Sequence, residues 1–484
     1  MDALIGFAPD IDPTTPGVLT DCDNIIPVPR GFAAAPSASS AGLSALAAAC
    51  KGFVVVRKLD DSNRLIAGTQ TKLYERSGTS WSDVSSGSYT GGAESRWRFC
   101  QFGDVTIATN RADAPQSSAT GAFAALGGNP PKASICETVS GFVILFDYSD
   151  ATHGRGDAPD GWWCSGLYNQ ATWAPSTATQ AATGRLFDTP GKILAGRRLG
   201  SGVVAYKEKS MYLGQYQGPP FVWGWTLISS EIGCISQEAC VNIETAHLFA
   251  SHDGFYAFDG TQPVPIDEPV RQWYQQHLNL SYKTRVVALH DRARSTVIWF
   301  FPSTASSNGD PDMGLAYNYK SGKWGKVTQS IEAAAEYVSA QITYNDLSSL
   351  YSTYDDLPSI SYDIPFWTAA TFLPAVVDTS HQVMALNGTP GASSITTGDM
   401  GDDNTWSLLS RITPRFLTTP TTGSLSSYSR EYMGASLVPR KTASMSRGRF
   451  DLLQSSRWHR VRLDFTGPVE IAGLGWELSE DSGE

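Results

Sequence analysis

The chain has 484 residues, a formal net charge of −11 and only 17% charged residues, whereas soluble proteins average about 25%. This length can bury a sizeable core, and the acidic balance excludes a protein that grips nucleic acid over most of its surface. The 45 glycines and the 11% aromatic content favour short strands with tight turns over long helices.

The cysteines and the N-terminus bear on where the protein is made. Seven cysteines are scattered without a CxxC pair, which is typical of reduced thiols rather than of a disulfide framework. The first residues, Met-Asp, show neither the basic nor the apolar region of a signal peptide. No window approaches the roughly 18 uncharged apolar residues of a membrane helix. We therefore expect a protein made in the cytoplasm, with no membrane-spanning segment.

Residues 1–45 are rich in Pro, Ala and Ser. The prolines disfavour a central strand or a long helix here. Apolar residues still recur, among them Ile5, Phe7 and Leu19. Because a free tail needs no such residues, we predict an extended N-terminal arm that lies on the surface of the rest of the protein.

Residues 46–340 contain short apolar strands separated by Ser, Gly, Asp and Asn. The strands recur about every 40 to 60 residues, close to the repeat of a four-stranded propeller blade. They begin near Leu65, Val105, Val143, Val203, Leu248 and Val297. The predicted fold is all-β, with a β-propeller core. One or two β-sandwiches would also give short strands at steady intervals and remain the alternative.

The segment Leu248–Gly260 gives the strongest strand signal. Asp253-Gly254 is typical of a two-residue type I′ turn, which needs positive φ at both positions. This turn would place Ala250 opposite Ala257 and Phe249 opposite Phe258. Both faces of the hairpin are then mostly apolar, so we expect the hairpin to be buried between two neighbouring sheets.

A helix is predicted after this hairpin. Asp267 can cap its N-terminus, with Glu268 and Pro269 in the first turn. Apolar residues from Val270 to Leu278 then fall on one face at helical spacing.

The remaining chain divides into two predicted regions. Residues 330–340 are ambiguous between helix and strand. Residues 341–435, with more Ser, Thr, Pro and Asp, are predicted to be a loop-rich insertion or projecting domain. Residues 436–484 return to strands, and we expect them to close the propeller, because terminal strands that pair with the first blade remove exposed sheet edges.

Motifs for catalysis are absent from the sequence, which has no HExxH, no Walker loop and no GxSxG. Asp355 and Asp356, with Asp363 nearby, could form a metal or acid–base pair. Adjacent side chains on a strand point apart, so turns that begin loops are the favoured interpretation. Three tryptophans could stack against a sugar but suit packing between strands better; they are Trp162, Trp163 and Trp173. We predict no enzyme activity and no catalytic, cofactor-binding or metal site.

The segment Arg440–Arg462 is a local basic patch on an acidic protein. It holds seven basic residues against Asp451, with Asp464 two residues beyond its end. The patch could meet phosphate, but contact with an acidic partner subunit is favoured, because one patch on a strand is no groove-reading motif. The predicted contact residues are Arg447, Arg449, Arg457, Arg460 and Arg462, together with Tyr354 and Asp355.

Several segments resemble the tail nozzle (tail hub) proteins of short-tailed bacteriophages. The resemblance is carried by the hairpin 253–260, Pro265-Ile266, His290–Pro302, Ala316–Trp324, the arm segments 6–10 and 21–31, the Thr-Tyr-Asp-Asp-Leu-Pro repeat at 353–358 and the strands of 457–476. It implies a β-propeller with insertions that assembles as a six-fold ring below portal and adaptor proteins. It also implies that DNA passes through the ring and that tail fibres can dock on it. Residues 100–200 depart from the family pattern.

The resemblance and the low charge lead to an expected function. We expect a structural virion protein in a phage tail, a homohexameric conduit for DNA ejection with an acidic lumen that binds DNA only weakly. The alternative is a carbohydrate-binding or glycan-cleaving β-propeller acting in host attachment. A glycosidase would need two carboxylates at a fixed separation, which could converge from separate blades.

Overall fold

The computed structural model describes residues 2–338 and 372–480, and their regular secondary structure is almost entirely β-strand. The predicted all-β class is therefore confirmed. The N-terminal arm is extended, as predicted, and contributes six short strands. They are β1 (Asp2–Ala3), β2 (Gly6–Phe7), β3 (Val18–Asp23), β4 (Ile25–Val28), β5 (Gly31–Ala34) and β6 (Ser37–Ser40).

The first three propeller blades follow the arm, and each is a four-stranded antiparallel sheet. Blade 1 comprises β7 (Gly52–Arg57), β8 (Asn63–Gly68), β9 (Leu73–Ser77) and β10 (Ser80–Asp83). Blade 2 comprises β11 (Arg98–Phe102), β12 (Val105–Thr109), β13 (Gln116–Ser118) and β14 (Ala124–Ala125). Blade 3 comprises β15 (Lys132–Val139), β16 (Phe142–Asp150), β17 (Gly156–Cys164) and β18 (Ala182–Arg185).

Blades 4 and 5 have the same construction, and two short helices follow them. Blade 4 comprises β19 (Ile193–Leu199), β20 (Gly202–Lys207), β21 (Met211–Gly218) and β22 (Val222–Ser229). Blade 5 comprises β23 (Cys240–Asn242), β24 (His247–Ala250), β25 (Phe255–Phe258) and β26 (Pro263–Pro265). The helices are α1 (Arg271–His277) and a 3₁₀ helix over Leu280–Arg285.

Blades 6 and 7 complete the ring. Blade 6 comprises β27 (Val287–Asp291), β28 (Thr296–Phe301), β29 (Met313–Asn318) and β30 (Lys323–Thr328). Blade 7 contains β31 (Ala333–Val338), β32 (Phe372–Val377) and β33 (Val383–Gly388), so the ambiguous segment 330–340 holds a strand. Within the described chain, six blades are separate four-stranded sheets, and blade 6 is part of a ten-stranded sheet. The first strand of each blade contacts the first strand of the next, and β31 contacts β7.

The ring is closed by the arm. Strand β6 pairs antiparallel with β33 as the outermost strand of blade 7. Blade 7 therefore combines a strand that precedes the other six blades in the sequence with strands that follow them. The pairing of β6 with β33 closes the ring. This differs from the expectation that residues 436–484 close the propeller.

The C-terminal strands form a sandwich beside blade 6 instead. They are β34 (Ala392–Thr397), β35 (Met400–Gly401), β36 (Ser407–Thr418), β37 (Thr422–Arg430), β38 (Val438–Ser444), β39 (Phe450–Ser456), β40 (Trp458–Thr466) and β41 (Glu470–Glu480). One sheet continues blade 6 in the order β30-β4-β5-β41-β36-β39, and the other runs β2-β3-β34-β40-β37-β38. The arm strands thus join the propeller to the sandwich. Of the predicted insertion 341–435, residues 372–388 belong to blade 7 and residues 392–435 to the sandwich.

The hairpin of blade 5 is buried on both faces, as predicted. Six of its side chains are at most 5% exposed; they are Leu248, Phe249, Ala250, Phe255, Tyr256 and Phe258. Successive side chains of a strand point to opposite sides. Each face of the hairpin therefore packs against a neighbouring blade.

The pairing within this hairpin is shifted by two residues from the predicted one. Phe249 lies opposite Tyr256 rather than Phe258, a shift that keeps each side chain on its predicted face. The connection has four residues, closed by a 2.7 Å hydrogen bond from Ser251 N–H to the Gly254 carbonyl. The predicted opposition of Ala250 and Ala257 is therefore wrong, as is the type I′ turn, since only Gly254 of the two turn residues has a positive φ.

The cap of α1 also differs from the prediction. Val270 occupies the N-cap position and has no side-chain cap. Asp267 is fully buried, and its carboxylate accepts a 2.8 Å hydrogen bond from Phe255 N–H and pairs with Arg271. The capping carboxylate comes from the arm, where Asp10 accepts from the N–H of Gln272 at 2.6 Å. A cap from so distant a residue leaves no local sequence pattern.

Candidate functional site

The propeller axis contains a cavity of about 530 Å³, lined mainly by the first strands of the blades and the residues just before them. Alternate side chains of these strands point toward the axis. The charged residues of the lining are Lys51, Arg96, Arg98, Arg197, Arg198, Arg285 and Arg292, against Glu137, Glu238, Glu332 and Glu336. Cations thus outnumber carboxylates in this channel, although the whole chain is acidic.

Two ion pairs cross the channel between blades that are not neighbours. Arg98, at the start of blade 2, pairs at 3.0 Å with Glu238, which precedes blade 5. Arg285, which precedes blade 6, pairs with Glu94 of the segment before blade 2. Burial raises the pKa of the Glu238 carboxyl, but the charge and hydrogen bond of Arg98, together with the charge of Arg96, outweigh this and keep the pKa below its usual value. These pairs link blades on opposite sides of the ring.

Four cations of the channel have no such partner. Among the described residues, Lys51, Arg96, Arg197 and Arg198 form no ion pair. Arg96 donates only to backbone carbonyls, at 3.5 Å to Cys50 and 3.4 Å to Glu332. The channel therefore holds positive charge that this chain's own carboxylates do not neutralise directly.

Lys51 shows how nearby positive charges affect the ionisation of a side chain in the channel. Burial, and then the charges of Arg96 and Arg285, lower the pKa of its ammonium group. Like charges so close together disfavour one another's ionisation. An anion placed among these three side chains would oppose that repulsion.

Arg197 and Arg198 form a second cationic group, near the end of β19. Arg197 donates to the Gln237 carbonyl at 3.2 Å, while its buried Nε has no hydrogen-bond partner. The adjacent Glu137 is held by the N–H of Thr138 at 3.0 Å. Burial raises the pKa of the Glu137 carboxyl despite the opposing charge of Arg197. One carboxyl cannot balance two guanidinium groups, so this part of the channel is also net positive.

Arg292 and His290 complete the lining near the ends of the blade strands. Arg292 pairs with Glu336 at 2.9 Å and with Glu244 at 3.8 Å. Burial, together with the charge of Arg292, lowers the pKa of His290 to about 4. At neutral pH His290 is therefore uncharged and adds nothing to the positive charge of the channel.

The carboxylates of the channel are engaged in structural contacts. Glu332 accepts a 2.8 Å hydrogen bond from Cys50 N–H and lies 2.8 Å from His381 Nδ1. Glu238 is held by Arg98. In residues 2–338 and 372–480, no group of three or more His, Cys, Asp or Glu side chains could hold a metal ion. The chemistry that this arrangement offers is the binding of an anion by guanidinium and ammonium groups.

The structure disperses the predicted contact residues around the sandwich. Arg460 pairs at 2.6 Å with the buried Asp399, Arg462 at 2.9 Å with Asp464, and Arg449 at 3.3 Å with Asp451. Arg447 is exposed at the turn between β38 and β39, and Arg457 is half-buried. Tyr354 and Asp355 lie outside the described residues, as do Asp356 and Asp363.

Two of the three candidate sugar-stacking tryptophans are inaccessible. Trp163 is 0% exposed and Trp173 1%, and the Trp163 indole donates to the Trp173 carbonyl at 2.8 Å. Trp162 is 6% exposed and packs against Trp225. The interpretation of these residues as packing is confirmed.

Sequence reasoning missed the channel cations. Lys51, Arg96 and Arg285 lie just before blade strands, and Arg197 near the end of another. Each looks like an ordinary polar residue at a strand boundary. Only the closure of the ring brings them together, so the available signal was a basic residue repeated at the same place in several blades.

Comparisons with known proteins show no family for this chain. No protein-family model and no curated protein matches this chain. Solved structures that it is similar to include YCF48 bound to D1 peptide, at 10% identity and a TM-score of 0.38, covering 64% of this chain and 92% of that one. YCF48 from Cyanidioschyzon merolae is another, at 8% identity and a TM-score of 0.32, covering 63% and 88%. The class that the structure defines is a β-propeller.

The expected function is corrected by these comparisons. The two structures named above are YCF48 proteins, not phage tail proteins, and nothing in the comparisons supports the expected tail nozzle. The expectation of a tail nozzle for DNA ejection rested on short strand and turn segments that propellers of many kinds share. Among the described residues, no helix is long and apolar enough to cross a membrane.

Proposed function

We propose that this chain is a non-enzymatic binding protein whose propeller channel holds an anionic ligand. The observation that carries the proposal is the set of four unpaired cations, Lys51, Arg96, Arg197 and Arg198, in the channel of a chain with a net charge of −11. In an acidic protein, cations gathered at one concave site attract anions to that site in particular.

The energetics support an anion rather than a neutral ligand. Gathering Lys51, Arg96 and Arg285 in a partly desolvated space is unfavourable, as the lowered pKa of Lys51 shows. A bound phosphate or carboxylate would supply the missing opposite charge and accept hydrogen bonds from the free guanidinium nitrogens. The ligand would carry more than one negative charge, since the unpaired cations form two groups.

Isothermal titration calorimetry at about 50 mM salt, with a Debye length between roughly 10 and 30 Å, tests this proposal. Inorganic tripolyphosphate and a hexaglutamate peptide are the two probes, and they separate phosphate from carboxylate ligands. We expect at least one to bind, with affinity falling as salt rises. Lys51→Gln and Arg197→Gln should each weaken that binding about tenfold. Absence of binding by both probes would overturn the proposal.

The matched control is Lys209→Gln, which removes the same charge from an exposed lysine outside the channel lining. We expect this variant to bind as the wild type does. An equal loss of affinity in Lys209→Gln would show that net charge, not the channel, attracts the probe.

We also infer that the basic segment running from β38 to β39 meets an acidic partner, a second copy of this chain. Strand β38 is the outermost strand of its sheet, and a sheet edge can pair with another chain. Lys441 and Arg447 are exposed there and form no ion pair among the described residues. Val438 and Leu453 add exposed apolar surface, at 46% and 61%. Since the chain is acidic overall, much of a second copy's surface complements this edge.

Light scattering coupled to size exclusion tests the contact. The wild type should form an oligomer whose mass falls to that of the monomer in a Lys441→Glu, Arg447→Glu double variant. Lys209→Glu, a change of charge elsewhere on the surface, should leave the mass unchanged. A monomeric wild type at about 100 μM, or a double variant with an unchanged mass, would contradict the inference.

A further inference from the structure

A second cavity, of about 350 Å³, lies between blades 6 and 7 where the arm enters blade 7. Its wall is mainly apolar and unrelated to the charged channel. The apolar side chains that form it include Ile26, Ala38, Ile298, Phe300, Val327 and Leu386. A cavity of this size and character is typical of small-molecule sites in proteins.

The wall is fixed by regular structure. Phe300, Val327 and Leu386 are 1%, 5% and 6% exposed, and they lie on β28, β30 and β33. Ala38 lies on β6, which is paired with β33. Because hydrogen-bonded strands hold these side chains, the cavity is present before any ligand binds, and binding orders little additional chain.

One polar group is placed to orient a ligand. Arg294 lines the cavity and donates from Nη1 to Asp291 Oδ2 at 2.6 Å. Among the described residues, its Nε and Nη2 form no hydrogen bond. The Arg294 side chain is 37% exposed, so the three N–H groups of these two nitrogens are open to solvent and can donate to a ligand with an apolar body and one acceptor.

The ion pair of Arg294 with Asp291 determines whether the acceptor group of a ligand should be charged or neutral. Asp291 is 5% exposed and bears the charge that compensates Arg294. A ligand carboxylate at Arg294 would place a second negative charge close to Asp291, which is unfavourable in a partly desolvated site. A neutral carbonyl accepts the same hydrogen bond without that repulsion.

We propose that this cavity binds a small molecule with an apolar body and a single neutral carbonyl, directed at Arg294. The cavity has room for about twelve groups the size of a water molecule, at ~30 Å³ each. Medium-chain ketones, esters and amides fit these limits. The site is independent of the anion-binding channel, and either can exist without the other.

The test uses 2-octanone as the probe, in thermal-shift and calorimetric titrations of the full chain. We expect saturable binding that raises the unfolding temperature. Ala38→Leu, which fills the cavity from β6, should weaken binding at least tenfold while leaving the stability of the free protein unchanged or higher, because added side-chain contacts replace empty space. Ala35→Val fills the cavity from the segment before β6 and serves as a second variant if Ala38→Leu folds poorly.

The controls separate the cavity from general surface binding. Ala124→Leu adds the same atoms on the outermost strand of blade 2, where Ala124 is exposed, and should bind 2-octanone as the wild type does. Octanoate should bind at least several-fold more weakly than 2-octanone. Equal binding of 2-octanone by wild type and both filled variants, no binding by the wild type, or tighter binding of octanoate would each overturn the proposal.

Discussion

His247 shows how a buried polar side chain is kept neutral. Its ring is 0% exposed, Nδ1 lies 2.8 Å from the Tyr206 hydroxyl, and Nε2 lies 2.8 Å from the Arg198 carbonyl. The neutral tautomer with a proton on Nε2 satisfies both contacts, since Nε2–H donates to the carbonyl and Nδ1 accepts from the hydroxyl. Burial lowers the pKa of this imidazole to about 4.

The lowered pKa of His247 predicts that acid destabilises the protein. The unfolded chain takes up a proton near pH 6.5 while the folded chain resists until about 4. The contribution of His247 is therefore complete above pH 6.5 and is lost as the pH falls through that window, by on the order of 3 kcal/mol. Urea unfolding at pH 7, 5.5 and 4 measures this loss. His247→Gln should be less stable at pH 7 but lose less stability on acidification; an equal loss would contradict the assignment.

Glycine is required at position 254 because the backbone there lies close to the Asp267 side chain, and not only because of the turn. A Cβ built at this position would lie 1.8 Å from the buried carboxylate of Asp267. Gly254→Val should therefore displace Asp267 and break its hydrogen bond to Phe255. We expect a loss of at least about 2 kcal/mol in the free energy of unfolding, measured by urea denaturation. Gly87→Val, at an exposed glycine with open space around it, is the control and should lose less than about 1 kcal/mol.

Among the elements, the contact between the arm and α1 shows how an extended segment is fixed. Asp10 accepts from the N–H groups of Gln272 and Trp273, at 2.6 and 3.1 Å, and so caps a helix more than half the chain away. Asp10→Ala should cost about 1 kcal/mol and increase hydrogen exchange in residues 6–20. Asp12→Ala, at an exposed residue whose carboxylate binds only Thr14, should leave exchange near α1 unchanged. If both variants exchange alike, Asp10 does not anchor the arm.

The elements that sequence predicted well are those made by neighbouring residues. The hairpin of blade 5 was predictable because its apolar strands and its turn are adjacent in the chain. The closure of blade 7 was not, since β6 and β33 are separated by almost the whole propeller. For the same reason, the sequence did not predict the arm's role in the sandwich, the cap from Asp10 or the cations of the channel.

The charge of the whole molecule is divided unevenly. The acidic average predicted a surface that repels phosphate, and it concealed a net positive channel. Composition reports the sum of all charges, whereas binding depends on the few that a fold brings together. Of the predicted basic contact residues, Arg449, Arg460 and Arg462 are neutralised within the chain. The partners of Arg449 and Arg462 lie only two residues away, whereas Asp399, the partner of Arg460, is too distant in the sequence for local spacing to reveal it.

At the scale of the whole molecule, propeller and sandwich are one body. The ten-stranded sheet runs from the innermost strand of blade 6 through the arm into the sandwich. A single buried apolar cluster includes Trp299 and Trp324 of blade 6 and Ile412 and Val461 of the sandwich. Neither part can unfold without exposing apolar surface of the other, so their unfolding is coupled.

We therefore expect a single cooperative unfolding transition, and one glycine allows the coupling to be tested. At Gly325, where β30 meets β4, a Cβ would lie 2.3 Å from the Ile25 carbonyl oxygen. Gly325→Val should separate these strands and split the transition in two, whereas Gly87→Val should keep one. Urea unfolding followed by tryptophan fluorescence and far-UV circular dichroism gives the measurement, because coincident curves indicate a two-state process. Two transitions in the wild type, or coincident curves in Gly325→Val, would show that the shared sheet does not couple the parts.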